Sequence, residues 1–558
     1  MKNLSSLLNK NAEKIVFVLF GLLIVFVSFF HEPWFDELQA WEISKDSLYN
    51  ILFVIPHLEG HPPLWHLILK CFSSLSISPE LGVRIPNLLF MFGAVWLLIF
   101  KSPFSKVVRL LLPFTYFIFY QYSIISRPYS IFCFALLLCA LFYKTRNENS
   151  FKFVGSLVLL SLSTAYGMFL TAGITIAWGI EVLKSLGIKQ LIKDKRFYFM
   201  LGLFVFSLLL LLEIYPEKNI IAFADVYSYD KISKLLYSFF ILSADATVFD
   251  FFNEMNLRVF FIDITNFFKL HSDIDFNLVT FQFWFGTLIG FVINVLLYSI
   301  AKVKSTRLFV FIPCIMFCLM AYLVYLKPHH IGLLTIFFVF AFWCMFSDEA
   351  FIGKKLKIFL SVFLSIFLIL QIYWSISSAL SEIQNPYSPS RQIVSFIKEH
   401  NMQNYKIMCG WQKSSSVYVN KETRKIYLGE PIDTKEKYLK FIQEYELVEY
   451  SNLLSQLDAV AINSYFDKNV FYNFNLDYPN KTYAVHKKLN SIETEELRQK
   501  WEKLGLPDFI IGDVDINYVF QTDVKNNYLL LKEFKSGFIW KDKYILTALP
   551  IYINKRLF

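Results

Sequence analysis

From residue 15 to residue 375 the chain repeats one pattern: an apolar run, then a short connector carrying Lys or Arg. A helix needs about 20 apolar residues to cross a bilayer. The runs at 15–30, 85–100, 107–124, 129–143, 153–162, 168–183, 197–214, 281–301, 308–326, 331–346 and 358–375 predict about eleven spans, some of them short or tilted. The run at 64–77 is too short to cross and carries His66 and Lys70, so it predicts a helix lying in the interface. Basic connectors belong on the cytoplasmic side. That rule puts the N-terminus, with Lys2, Lys10 and Lys14, inside and residues 31–84 outside. If 64–77 crossed, every later basic connector would land outside. Segment 15–30 has the basic flank of a signal peptide but no small-residue cleavage site, and reads as a retained first span.

After Glu382 the pattern changes. Pro386 and Pro389 mark a linker, and Ser390 is placed to cap a helix over 390–400. Short apolar runs at 405–409, 459–462, 509–511 and 528–531 predict strands, with helices at 435–445 and 494–504 between them. The fold class expected is therefore an all-α polytopic membrane domain over 1–380 with a small α/β domain over 381–558, extracytoplasmic by the charge rule. Residues 215–279 form a long outer loop, mixing apolar residues with Asp225, Asp230, Asp245, Asp250 and Glu254, and predict helices lying on the surface.

Composition agrees. The chain is 56% hydrophobic and 18% charged, against about 25% charged in soluble domains. Its net charge of +9 lies mostly in the connectors, so it points to membrane topology and not to nucleic acid. Cys133, Cys139, Cys314, Cys318 and Cys344 fall inside apolar runs, so no disulfide framework is implied.

The polar residues left over gather on the outer side of this map. They are Asp36 and Glu37, then Glu59 and His61 before Pro62-Pro63, then Arg84 with Arg127 and Tyr129, then Lys327, His329 and His330. Carboxylates beside guanidinium and imidazole groups suit a reaction between a hydroxyl or amine and a lipid phosphate. A carboxylate can take the acceptor's proton. Arg, Lys and His can hold a phosphate that departs with its charge. Each residue also has a plainer reading. Asp36 can cap an interfacial helix, and Glu37 can be a first-turn acid. Arg84 can snorkel to the interface. Tyr129 can be packing or a substrate contact. Glu59 and His61 suit a substrate contact or a divalent metal, but two ligands fall short of a metal site.

The run FDELQAW, then EGHPPLW, Val83-Arg84-Ile85-Pro86, SRPYS and KPHHIG resembles the bacterial membrane glycosyltransferases of the GT-C fold. The likeness is to the protein-mannosyltransferase-like branch, family 39, with its aminoarabinose transferases, and covers residues 15–346. The resemblance implies a polyprenyl-phosphate-linked sugar as donor, an active site on the outer face of the bacterial cytoplasmic membrane, and juxtamembrane helices in the first outer loop. It implies that Asp36 is the acceptor's base. The chain departs from many relatives in having Ser126-Arg127-Pro128 where they carry an acidic residue. The acceptor, whether protein, lipid or glycan, is unmatched. Rival readings are a lipid-linked-glycan transporter or flippase, a glycan ligase or polymerase, and a sensor or assembly protein acting through its C-terminal domain.

Overall fold

The structure, a computed structural model, describes residues 2–215, 231–250, 274–323, 326, 328–347, 352–409, 413–420, 441, 443–451, 457–478, 481–485, 491–512, 514, 516–541 and 543–557. It is mostly helical. Among the described residues, seven helices are long and apolar enough to cross a membrane. They are Asn11–Phe30, Pro79–Phe100, Ala165–Leu186, Lys195–Glu213, Phe283–Val303, His329–Phe346 and Lys354–Gln384. Four shorter apolar helices accompany them: Leu64–Ser73, Tyr129–Tyr143, Ser150–Ser163 and Arg307–Leu323. Their starts obey local rules. Ser78 accepts from the Leu81 N–H ahead of Pro79, and Thr164 accepts from the Gly167 N–H.

The expected span at 107–124 is not one helix. It breaks into Lys106–Leu111, a tight turn at Leu112–Phe114 and a wide turn at Phe117–Gln121. Pro113 has no N–H for a helical ladder, and Thr115 is extended, its hydroxyl turned back to the Leu112 carbonyl at 2.7 Å. Irregular backbone at membrane depth is tolerated where protein covers it, and Tyr116 to Ile125 are all buried.

Close helix crossings use small residues. An added Cβ on Gly173 would lie 2.5 Å from Pro313 Cα, so Ala165–Leu186 and Arg307–Leu323 meet backbone to backbone there.

A second core, from Ile393 to Ile551, belongs to the C-terminal part. Its strands are β1 (Ile407–Cys409), β2 (Lys413–Asn420), β3 (Tyr445–Ser451), β4 (Phe509–Ile511), β5 (Tyr528–Trp540) and β6 (Lys543–Asn554). One sheet runs β1-β4-β6-β5, with β1 and β4 parallel and the rest antiparallel; β2 and β3 pair separately. The strand expected at 459–462 is instead part of the helix Leu457–Asn463, where Ala459 and Ala461 favour helix. The strand expected at 528–531 runs on to Trp540 and pairs with β6, which the sequence reading missed. Pro389, not Ser390, is the N-cap of Ser390–Glu399. The helix expected at 435–445 falls mostly outside the described residues, and Tyr445 already belongs to β3. Most of the loop 215–279 also lies outside them; its described part, 231–250, is helical as expected, but Tyr237, Ile241, Leu242 and Ala244 are buried in the bundle core, so it does not lie on the surface.

The backbone contact at Gly173 gives a stability test. Gly173→Val is expected to cost about 1–3 kcal/mol by overpacking. Gly155, with nothing within 4 Å of its added Cβ, should accept Val with little change. Thermal unfolding of both variants in detergent checks the difference.

Candidate active site

One end of the helical bundle collects the polar residues. The first helix stops at Phe30, and His31 follows, buried. Its Nε2 lies 2.9 Å from Glu37 Oε2 and its Nδ1 lies 2.9 Å from Glu382 Oε1. Glu382 is near the end of Lys354–Gln384, so the first and last long helices meet through this ring. Both ring nitrogens face carboxylates, so both donate and the ring is an imidazolium. Burial works against that charge, but Glu37 and Glu382 outweigh it, and the His31 pKa is pushed up to about 10.

Both oxygens of Glu37 are engaged. Its Oε2 also accepts from the Trp34 N–H at 3.1 Å, and its Oε1 accepts from the Ser126 N–H at 2.6 Å. The first contact fixes the start of the helix Phe35–Ser44, as in half of a capping box. The second fixes the turn that carries Arg127. On the far side, Tyr120 OH donates to Glu382 Oε2 at 2.6 Å. Arg84 lies behind the same network, its Nη2 donating to the His31 carbonyl at 3.2 Å.

Asp36 and Arg127 form the open side. Arg127 Nη1 donates to the Asp36 carbonyl at 2.8 Å and lies 3.5 Å from its Oδ2. The Asp36 and Arg127 side chains keep 22% and 14% exposure, against 2% or less for His31, Glu37 and Glu382. Burial opposes the charge on Arg127, but Asp36 outweighs it and holds the guanidinium above its ordinary range.

Aromatic rings surround the pair. Arg127 lies 5.9 Å from the centre of the Tyr129 ring. Tyr129 meets His329 at 5.7 Å and His330 at 5.8 Å, and Trp34 meets His329 at 6.3 Å. His330 is buried and packs on Tyr166 at 5.1 Å, deeper than His329.

The interfacial helices close the other flank. Gln39 Nε2 donates to Glu59 at 3.1 Å and to the Ala484 carbonyl at 2.7 Å. His61 is pushed down to about 4 by burial and by the Arg127 charge, so its ring is neutral. His66 is pushed down to about 3 by burial, His61 and Arg127. Trp34 Nε1, Trp65 Nε1 and His66 Nδ1 are buried with no hydrogen-bond partner among the described residues. Unpaired buried polar atoms are costly, and their presence here suits a polar ligand.

The structure thus brings Asp36, Arg127, Tyr129, His329 and His330 into one chain of contacts, with His61 within reach of the Arg127 charge. Glu37 and Arg84 sit in the network behind them. Lys327 lies outside the described residues. Among the described residues no group of three or more His, Cys, Asp or Glu is placed to hold a metal ion. Sequence reasoning missed His31 and Glu382 as partners: an acid ending an apolar run marks Glu382 as unusual but does not say what it pairs with. Comparison with protein-family models, with curated proteins and with solved structures finds no match.

The His31 network predicts a pH effect with a definite sign. A raised folded-state pKa means that the stabilisation is fully present below about 6.5 and is lost as the pH rises through about 10. Melting curves should therefore show the wild type losing more stability between these limits than His31→Gln does. His31→Ala leaves two buried carboxylates facing each other and should cost about 3–5 kcal/mol at neutral pH.

Proposed function

We propose that this chain is an integral membrane glycosyltransferase that moves a sugar from a polyprenyl-phosphate carrier to an acceptor. The observation that carries the reading is the Asp36–Arg127 pair, partly open at one end of an apolar bundle and ringed by Trp34, Tyr129 and His329. The motif resemblance noted in the sequence supports it.

The chemistry follows from the atoms. Asp36 takes the proton from an acceptor hydroxyl or amine. The acceptor atom attacks the anomeric carbon in a single displacement. The bond from that carbon to the phosphate oxygen breaks, and its electron pair leaves with the polyprenyl phosphate. Arg127 stabilises that leaving charge. Its hydrogen bond to the Asp36 carbonyl holds its position, while the 3.5 Å carboxylate contact is long enough to yield to a phosphate oxygen. His329 and the neutral His61 ring supply polar contacts to the sugar or phosphate.

Charge supports the orientation. At the opposite end of the bundle Arg109 pairs with Glu13 at 3.1 Å, Arg146 with Glu181 at 2.5 Å, and Lys101 and Lys106 lie beside the first of these. A basic end is a cytoplasmic end, so the site faces outward from a bacterial cytoplasmic membrane and the N-terminus lies inside. Eleven crossings result if three of the shorter helices and the broken segment at 106–125 also cross.

That broken segment also favours a second reading, a lipid-linked-glycan transporter, since such proteins use interrupted helices. The two separate cleanly, because a transporter moves its lipid with the glycosyl bond intact.

Asp36→Asn is expected to lower release of polyprenyl phosphate from a polyprenyl-phosphate sugar by about 10²–10⁴, the usual worth of a general base. Membrane insertion and the melting temperature should be kept. Release at the wild-type rate in that variant would sink the assignment.

A further inference from the structure

The hairpin of β5 and β6 does not end in the C-terminal part. Its tip is sunk into the helical bundle. Trp540 belongs to the bundle's own core and meets the rings of Tyr116 at 5.7 Å and Phe117 at 6.3 Å. Lys541, at the turn, has a φ of 55° and no solvent exposure. A buried ammonium is costly unless it is held on several sides. Here Nζ donates to the Asp245 carbonyl at 2.9 Å and the Phe249 carbonyl at 2.7 Å, lies 3.6 Å from Asp250 Oδ1, and sits 5.0 Å over the Trp374 ring. Trp374 is eight residues before Glu382 on one helix, roughly 12 Å along its axis. The tip therefore reaches well below the level of the His31 network.

The segment that Lys541 grips is held from two other helices as well. Thr335 Oγ1 donates to the Ala246 carbonyl at 2.5 Å, and Gln371 Nε2 donates to the Thr247 carbonyl at 2.8 Å. Higher on the hairpin, Ser378 Oγ donates to the Ile539 carbonyl at 3.1 Å, and the Gly537 N–H donates to the Pro386 carbonyl at 3.0 Å. Phe538 stacks on Tyr387 with ring centres 4.7 Å apart. Tyr387 in turn meets His31 at 5.1 Å and Trp34 at 6.2 Å.

The geometry points to Lys541 as a positioning residue: it fixes the depth of the hairpin, and through Phe538 and Tyr387 the hairpin presses Trp34 and His31 into place beside Asp36. The C-terminal part is then a built-in support of the site. The consequence for chemistry rests on the glycosyltransferase reading; the mechanical link does not.

Hydrogen exchange on the full chain in lipid nanodiscs tests the link. Lys541→Met keeps the side chain's length and removes its charge. Phe538→Leu keeps the lysine and removes the stack on Tyr387. Lys541→Met should speed exchange at least about tenfold at the amides of Glu37, Leu38 and Ser126 and at those of 246–249, as local opening becomes easier. Phe538→Leu should speed the first group and leave 246–249 protected. Faster exchange confined to 246–249 in Lys541→Met would make the hairpin a mere tether and overturn the proposal. So would wild-type exchange at Glu37, Leu38 and Ser126 in Phe538→Leu, which also decides the matter if Lys541→Met does not fold. No turnover is measured, so this failure is distinct from failure of the transfer reading.

Discussion

A charged imidazole held between two carboxylates, out of reach of water, constrains everything near it. Removing the ring leaves two buried carboxylates facing each other with no cation between them, and removing either acid leaves a buried ring N–H without its acceptor; either loss costs far more than the network adds when complete. His31, Glu37 and Glu382 must therefore meet, and with them the end of the first helix, the start of Phe35–Ser44 and the end of the last long helix. Tyr120 and the Ser126 N–H engage the second oxygen of each acid and bring in the broken segment and the turn after it. One cluster of polar bonds thus fixes three separated stretches of chain, 31–37, 120–126 and the segment around Glu382, at one end of the bundle.

The consequence reaches the neighbouring residues. Glu37 is spent on structure, and by holding both Trp34 and Ser126 it sets the two sides of the Asp36–Arg127 pair. Of the two adjacent acids, only Asp36 is left with solvent access. This division of labour between neighbours follows from helix geometry. Residues one apart point about 100° away from each other, so one faces the buried network and the other the opening.

Much of the helical architecture was legible, because long apolar runs with basic connectors leave few alternatives. The short run at 64–77 became the helix Leu64–Ser73, packed beside Phe35–Ser44 through Trp41, Trp65 and Leu69. The break at 112–121 was less visible, since one proline inside an apolar run does not reveal whether the helix kinks or ends. The 459–462 strand failed because a four-residue buried run has no period of its own. At the site, Asp36, Arg127, Tyr129 and the histidines could be gathered by charge and topology alone. Glu382 could not, since its partner is 351 positions away and nothing local marks the pairing. Glu37 looked like a second reactive acid for the same reason. The sunken hairpin tip was also hidden, because Trp540 and Lys541 read as an ordinary turn until the bundle around them is seen.

The central claim is that the space beside Arg127 receives the phosphate of a polyprenyl carrier. Photo-crosslinking tests it most directly, using a polyprenyl phosphate with a diazirine next to the phosphate and the full chain in nanodiscs. Labelling should concentrate in the peptides that hold Arg127, Tyr129 and His329, and unmodified polyprenyl phosphate should compete it away. Labelling spread over the lipid-facing surfaces of Lys195–Glu213 and Lys354–Gln384, unaffected by competitor, would contradict it.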